Sequence, residues 1–142
     1  MSKTIRVLIA DDDRKVTDAL RGVLRLDEES RFEVAIVQNP GKIIEQVRKF
    51  QPHVVVLDNR FDNQDLGIGE LLPRIRGEFE TIGIVIITAH RGGAIEPIAQ
   101  ALLYEIDGFL DKIREKDLDP DEFRKTVINA FNAHRKREER NV

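Results

Sequence analysis

The sequence predicts an α/β fold: a single-domain (βα)₅ arrangement in which five parallel strands form one doubly wound sheet with helices on both faces. Three observations lead there. Five short runs rich in branched apolar residues are spread along the chain. Amphipathic stretches of helical period separate them. The runs are continuously apolar rather than alternating, as in strands buried on both faces of a parallel sheet. Strand, crossover and parallel strand in succession then wind right-handed.

The first run is Ile5 to Ala10, the second Phe32 to Val37, and the third His53 to Leu57, with three consecutive valines. The fourth is Ile82 to Ile87, and the fifth is the short Gly108 to Leu110. Between them, Val16, Ala19, Leu20, Val23 and Leu24 recur at helical spacing. So do Ile43, Ile44, Val47 and Phe50, and then Leu71, Leu72 and Ile75. A fourth helix is expected around Ile98, Ala101 and Leu102, its start weakened by Gly92, Gly93 and Pro97. The fifth is the best marked. Asp119 reads as its N-cap, Pro120 takes the first helical position, Glu122 closes a capping box, and Phe123, Val127, Ala130 and Phe131 form its apolar stripe. No internal repeat or low-complexity linker interrupts the series. A charged helix end is expected over 134–142, where Arg135, Lys136, Arg137 and Arg140 face Glu138 and Glu139. It reads as a solvated end rather than an RNA- or membrane-binding tail.

Composition removes several function classes. The 142 residues suit one globular domain with a real core. Twenty-three Lys and Arg against 26 Asp and Glu give a net charge of −3, so no overall basic field recruits nucleic acid. There is no cysteine, which excludes disulfides, thiol catalysis and cysteine-ligated zinc. That fits a reducing, cytoplasmic setting. No apolar run is long enough to span a bilayer, and the start of the chain reads directly into a strand rather than a signal peptide.

In an open parallel sheet, ligands bind outside the carboxyl ends of the strands. The polar residues just past each apolar run are therefore the informative ones. They are Asp11, Asp12 and Asp13 after the first, Asp58 ending the third, Thr88 ending the fourth, and Lys112 after the fifth. Clustered carboxylates repel one another, and a hard divalent cation relieves that repulsion. Mg²⁺ prefers oxygen ligands and needs only one or two carboxylates. A carboxylate can also act as nucleophile in phosphoryl transfer, while Mg²⁺, an ammonium and a hydroxyl stabilise the phosphoryl oxygens. Singly, each residue has a plainer reading. Asp13 is a helix cap, Thr88 an ordinary strand end, and Lys112 a solvated lysine. Together, four strand ends carrying complementary groups favour a Mg²⁺ and phosphoryl site.

These residues resemble the receiver domain of bacterial response regulators. Val7-Leu8-Ile9-Ala10-Asp11-Asp12-Asp13 is similar to that family's first strand and acidic pair. Pro52-His53-Val54-Val55-Val56-Leu57-Asp58 is similar to its phosphoacceptor strand. Ile86-Ile87-Thr88-Ala89 and Asp107-Gly108-Phe109-Leu110-Asp111-Lys112 resemble its hydroxyl and lysine segments. The order and spacing fit from about Ile5 to about Ala133, so residues 1–133 read as the receiver domain. The resemblance implies a flavodoxin-like strand order, 2-1-3-4-5. It implies that Asp58 accepts a phosphoryl group from a histidine kinase or phosphotransfer protein. Mg²⁺ is then held by Asp12, Asp58 and the backbone carbonyl of Arg60, with Asp11 acting through water. Thr88 and Lys112 hold the phosphoryl oxygens, and Thr88 and Phe109 form the switch. Output passes to a partner protein through the face made by the fourth helix, fifth strand and fifth helix, roughly 92–133, which could also form a homodimer. No nucleic acid or membrane partner is expected, and the chain is expected to be a switch rather than a turnover enzyme.

The sequence departs from the family in two places. The run from Asp58 to Gly67 lacks the usual proline and carries about one extra residue, and Ile113 rather than proline follows Lys112. The latter peptide bond is therefore expected to be trans. Arg60 has two open readings, a shield over the acyl phosphate or a solvated side chain. They differ in how fast an Arg60→Ala variant loses phosphate. His90 reads as an exposed loop residue, and His53 and His134 as structural ones. Gly67-Ile68-Gly69 is only a fragment of a dinucleotide fingerprint. Three rivals stand beside the switch. One is a receiver fragment of a larger regulator. Another is a small Mg²⁺-dependent phosphatase, disfavoured because Arg60 stands where an acid/base aspartate is expected. The last is a flavodoxin-like cofactor binder, disfavoured by the scarcity of aromatics and the acidic strand ends.

Overall fold

The computed structural model describes residues 4–58, 68–88, 106–111 and 119–141, and of residues 68–70, 88 and 111 it describes the backbone alone. The strands are β1 (Thr4–Ala10), β2 (Arg31–Val37), β3 (Val54–Asp58), β4 (Gly83–Thr88) and β5 (Gly108–Asp111). Each matches its apolar run to within a residue. All pairings are parallel, and the order across the sheet is β2-β1-β3-β4-β5, as the resemblance implied. The helices among the described residues are α1 (Arg14–Arg25), α2 (Ile43–Phe50), α3 (Ile68–Glu78) and α4 (Pro120–Arg140). Thus α4 is the fifth helix of the sequence reading, and the expected fourth, around Ile98 to Leu102, lies outside the described residues.

The continuous apolar runs arise because both faces of the sheet are covered. Successive residues of a strand point to opposite faces. Leu8, Ala10, Val55, Leu57, Ile84 and Ile86 pack on one face with Ile43, Ile44 and Val47 of α2 and Leu71, Leu72 and Ile75 of α3. Val7, Ile9, Val54, Val56, Val85, Ile87 and Leu110 pack on the other with Val16, Leu20 and Leu24 of α1 and Phe123, Val127, Ala130 and Phe131 of α4. Neither face could carry polar residues without burying them unpaired, so the usual amphipathic alternation is missing.

Helix starts follow the local signals. The Asp13 carboxylate accepts from the Lys15 N–H and opens α1, and Asp119 does the same for α4 through Asp121 N–H, with Pro120 at the first position. Asn39 caps a short 3₁₀ turn, Pro40–Lys42, that leads into α2. Gln51 ends α2 in the left-handed region, φ 51°, its N–H bonded to the Val47 carbonyl.

Two glycines set how closely α4 lies on the sheet. A Cβ on Gly83 would collide with the Ala130 carbonyl, and one on Gly108 with Thr126. The register then places the polar residues. Ala10 pairs with Leu57, so Asp11 and Asp58 follow side by side at the carboxyl edge. Thr88 pairs with Asp111, so Lys112 is the next residue along the chain from that same edge.

Candidate functional site

Asp11, Asp12 and Asp58 bring carboxylate oxygens within 4.8 Å of one another at the carboxyl edge of the sheet. Each is placed by a different constraint. Asp11 continues β1, its N–H donating to the Val37 carbonyl at 3.2 Å, and is only 4% exposed. Its Oδ1 accepts the Asp13 N–H at 2.9 Å, which folds the Asp11–Asp13 segment back toward α1. Asp12 sits at the exposed turn between strand and helix, and Asp58 is the half-buried last residue of β3. Three carboxylates this close in a partly desolvated site repel one another. All the donors are hard oxygens. Two ligands on one octahedral Mg²⁺ lie about 3 to 4 Å apart, so this spacing accommodates direct ligation by some of the carboxylates and contact through water by another. The donor set fits that ion.

The remaining residues singled out from the sequence fall as follows. Thr88 is the last residue of β4, with its backbone opposite Asp111. Phe109 stands on β5 and is 37% exposed, while its neighbour Leu110 is buried. Arg60, His90, Gly92, Gly93 and Lys112 lie outside the described residues, as do the segment 59–67 and the peptide bond after Lys112.

Sequence reasoning missed a second set of polar groups at the opposite, amino-end edge of the sheet. His53 Nδ1 accepts the Arg6 backbone N–H at 2.9 Å, which leaves the ring hydrogen on Nε2. Burial, with the charges of Arg6 and His134 and against a smaller opposing pull from Glu138, lowers this imidazole to about 4. Its ring meets Phe131 edge-on at 5.1 Å and His134 at 5.3 Å. His134 is buried, held between the Thr81 carbonyl at 2.9 Å and the Glu138 carboxylate at 2.7 Å. The two imidazoles line a groove of about 670 Å³ together with Arg6, Gln51, Thr81 and Glu138. Beside it, the Asp107 carboxylate is enclosed by Arg76 and Arg137. The helix end expected to be solvated is therefore anchored at two points. A signal for this existed, since His134 continues the α4 stripe four residues after Ala130 and three after Phe131. The partner across the fold, Asp107, carried none.

The sequence profile of the response regulator receiver domain matches residues 7–127. This chain belongs to the response regulator receiver domain family. Solved structures agree on the fold. The CheY-like receiver domain protein from Methanospirillum hungatei JF-1 superposes with a TM-score of 0.79 at 18% identity, covering 95% of this chain and 99% of that one. NtrX from Brucella abortus gives 0.81 at 19% identity, covering 98% of this chain but 30% of that one. Among curated proteins, the chain is 23% identical over 107 residues to the uncharacterized transcriptional regulatory protein YesN of Bacillus subtilis, covering 75% of this chain. It is 41% identical over 61 residues, 43% of this chain, to a protein-glutamate methylesterase/protein-glutamine glutaminase of Rhodopseudomonas palustris. The matches span 28% and 16% of the lengths of these two relatives.

Proposed function

We propose that this domain is a Mg²⁺-dependent phosphoaspartate switch that takes its phosphoryl group from a histidine kinase or phosphotransfer protein. The observation that carries this reading is the meeting of Asp11, Asp12 and Asp58 at the carboxyl edge of the sheet in a chain of this family. Asp58, at the end of a rigid central strand, is the nucleophile. One of its carboxylate oxygens attacks the phosphorus of a phosphohistidine. The P–O bond forms as the P–N bond breaks, and the electron pair leaves with the imidazole, which takes up a proton from solvent. Asp12 and Asp58, with the Arg60 carbonyl, would ligate the ion, and Asp11 would act through water. When bound, Mg²⁺ supplies positive charge to the phosphoryl oxygens. Thr88, ending β4, and Lys112, next in sequence after β5, complete the donor set. The added charge then shifts the population of the 92–133 face, with Phe109 on β5 as its aromatic switch and a protein partner as the receiver of the signal. The domain works in the cytoplasm by contacts rather than turnover.

Beryllofluoride with Mg²⁺ imitates an acyl phosphate on a carboxylate, and its binding tests the reading. The parent should bind it saturably and only with Mg²⁺, and Asp58→Asn should abolish binding. A folded parent that does not bind would make the domain a phosphorylation-independent interaction module.

A further inference from the structure

We infer that Asp107 is a positioning residue that sets the register of β5 on β4 and so fixes where the chain leaves the sheet beside Thr88. The inference rests on the proposed function for its consequence at the site, and on the geometry alone for the register.

β5 has four residues and lies at the edge of the sheet, so it pairs on one side only. A parallel ladder this short specifies its own alignment weakly. Asp107, just before the strand, adds a rung that uses both backbone and side chain. Its N–H donates to the Ile84 carbonyl at 2.8 Å, and its Oδ2 accepts the Ile84 N–H at 2.9 Å. The carboxylate is thus locked to one residue of β4. Its side chain is 7% exposed, and two guanidinium groups hold it there: Arg76 of α3, 14% exposed, and Arg137 of α4, 18% exposed. Arg76 Nη2 reaches Oδ2 at 3.2 Å and Arg137 Nη1 reaches it at 3.0 Å, while Arg137 Nη2 takes Oδ1. Both arginines also donate to the Ile82 carbonyl oxygen, and Arg76 to that of Glu80.

Gly108 makes the alignment steric as well, because Thr126 of α4 occupies the space a side chain would need. The consequence follows from strand geometry. A slip of one residue would turn Phe109 inward and Leu110 outward and would move the residue after β5 by about 3.3 Å along the strand axis, toward or away from the carboxyl edge. That displacement is large compared with the tolerance of a phosphoryl site. Asp107 therefore acts at the far end of the strand from the acidic cluster, by fixing the strand rather than by touching substrate.

The rival view is that Asp107 only neutralises two half-buried arginines. An Arg76→Met/Arg137→Met background separates the two, because it removes the ion cluster and leaves the Ile84 clamp. In that background, Asp107→Asn keeps an acceptor oxygen for the Ile84 N–H and Asp107→Ala does not. Amide hydrogen exchange over residues 108–111, referred to β1 and β3, should be about tenfold faster in the Ala variant than in the Asn variant. Mg²⁺-dependent beryllofluoride affinity should fall about tenfold in the Ala variant and stay near the parent's in the Asn variant. If the folded Asn and Ala variants exchange alike, the register role is overturned. If exchange differs and affinity does not, the link to the site is overturned. The same pair in the parent background supplies the comparison should the triple change prevent folding. A parent that fails to bind beryllofluoride defeats the proposed function instead, and the exchange comparison then decides the clamp.

Discussion

His53 shows how one residue's chemistry is set by its neighbours. The Arg6 amide occupies Nδ1, so a second proton on the ring would force two N–H groups against each other. Burial and the nearby positive charges work in the same direction, and the folded imidazole holds out against protonation down to about 4. In the unfolded chain it takes a proton near 6.5. Between these values the unfolded state binds more protons, so stability falls as pH drops from about 6.5 to about 4 and levels off below. The ring is only half-buried, so solvent screening reduces the loss to the order of 1 kcal/mol. His53→Asn keeps an acceptor where Nδ1 stands and removes the titration. Urea unfolding at several pH values should show a flatter profile for that variant across this window. A parallel loss in parent and variant would place the effect elsewhere.

The strands and helices were legible for a physical reason, and their limits were too. A strand buried on both faces has no freedom to carry polar residues, so the runs from Ile5 to Ala10 and from Ile82 to Ile87 announce themselves in composition alone. Caps such as Asp13 and Asp119 are equally local, each satisfying an amide two residues away. The last turns of α4 were not legible. Arg137 looks solvated in sequence because its carboxylate partner lies 30 residues earlier, and only the closed fold brings them together. The same closeness makes the packing of α4 on β4 intolerant. A side chain at Gly83 would meet backbone, the Ala130 carbonyl, which cannot rotate away. Gly83→Ala should cost about 1–3 kcal/mol in denaturant unfolding, as overpacking does. A neutral result would mean that the helix slides freely on the sheet.

At the scale of the whole molecule, the two edges of the sheet carry different charge patterns among the described residues. At the carboxyl edge, oxygens of three carboxylates come within 4.8 Å of one another, and like charges at that distance repel. At the amino edge, Asp107, Arg76 and Arg137 answer one another. The acidic cluster was readable because each member stands just past an apolar run. The counterbalancing cluster was not, because its members come from a loop and two helices. The imbalance has a thermal signature. Asp12→Asn relieves repulsion and should raise the Mg²⁺-free Tm by about 2 °C. Saturating Mg²⁺, at about a hundred times its Kd, should stabilise the parent by about 2.7 kcal/mol and the variant by clearly less. Calorimetry with and without the ion decides, and equal Mg²⁺ responses would remove Asp12 from the ligand set.

The anchoring of α4 bears on how this domain can be transplanted. The family profile ends at residue 127, and the apolar stripe would tempt an engineer to join a new partner just after Phe131. A fusion joined there would strip away His134 and Arg137, leaving the Thr81 carbonyl without its imidazole and Asp107 with half of its cationic cage. A chimera that keeps the helix through Arg140 carries its own floor with it, and the grafted module then inherits a rigid rod rather than a fraying one.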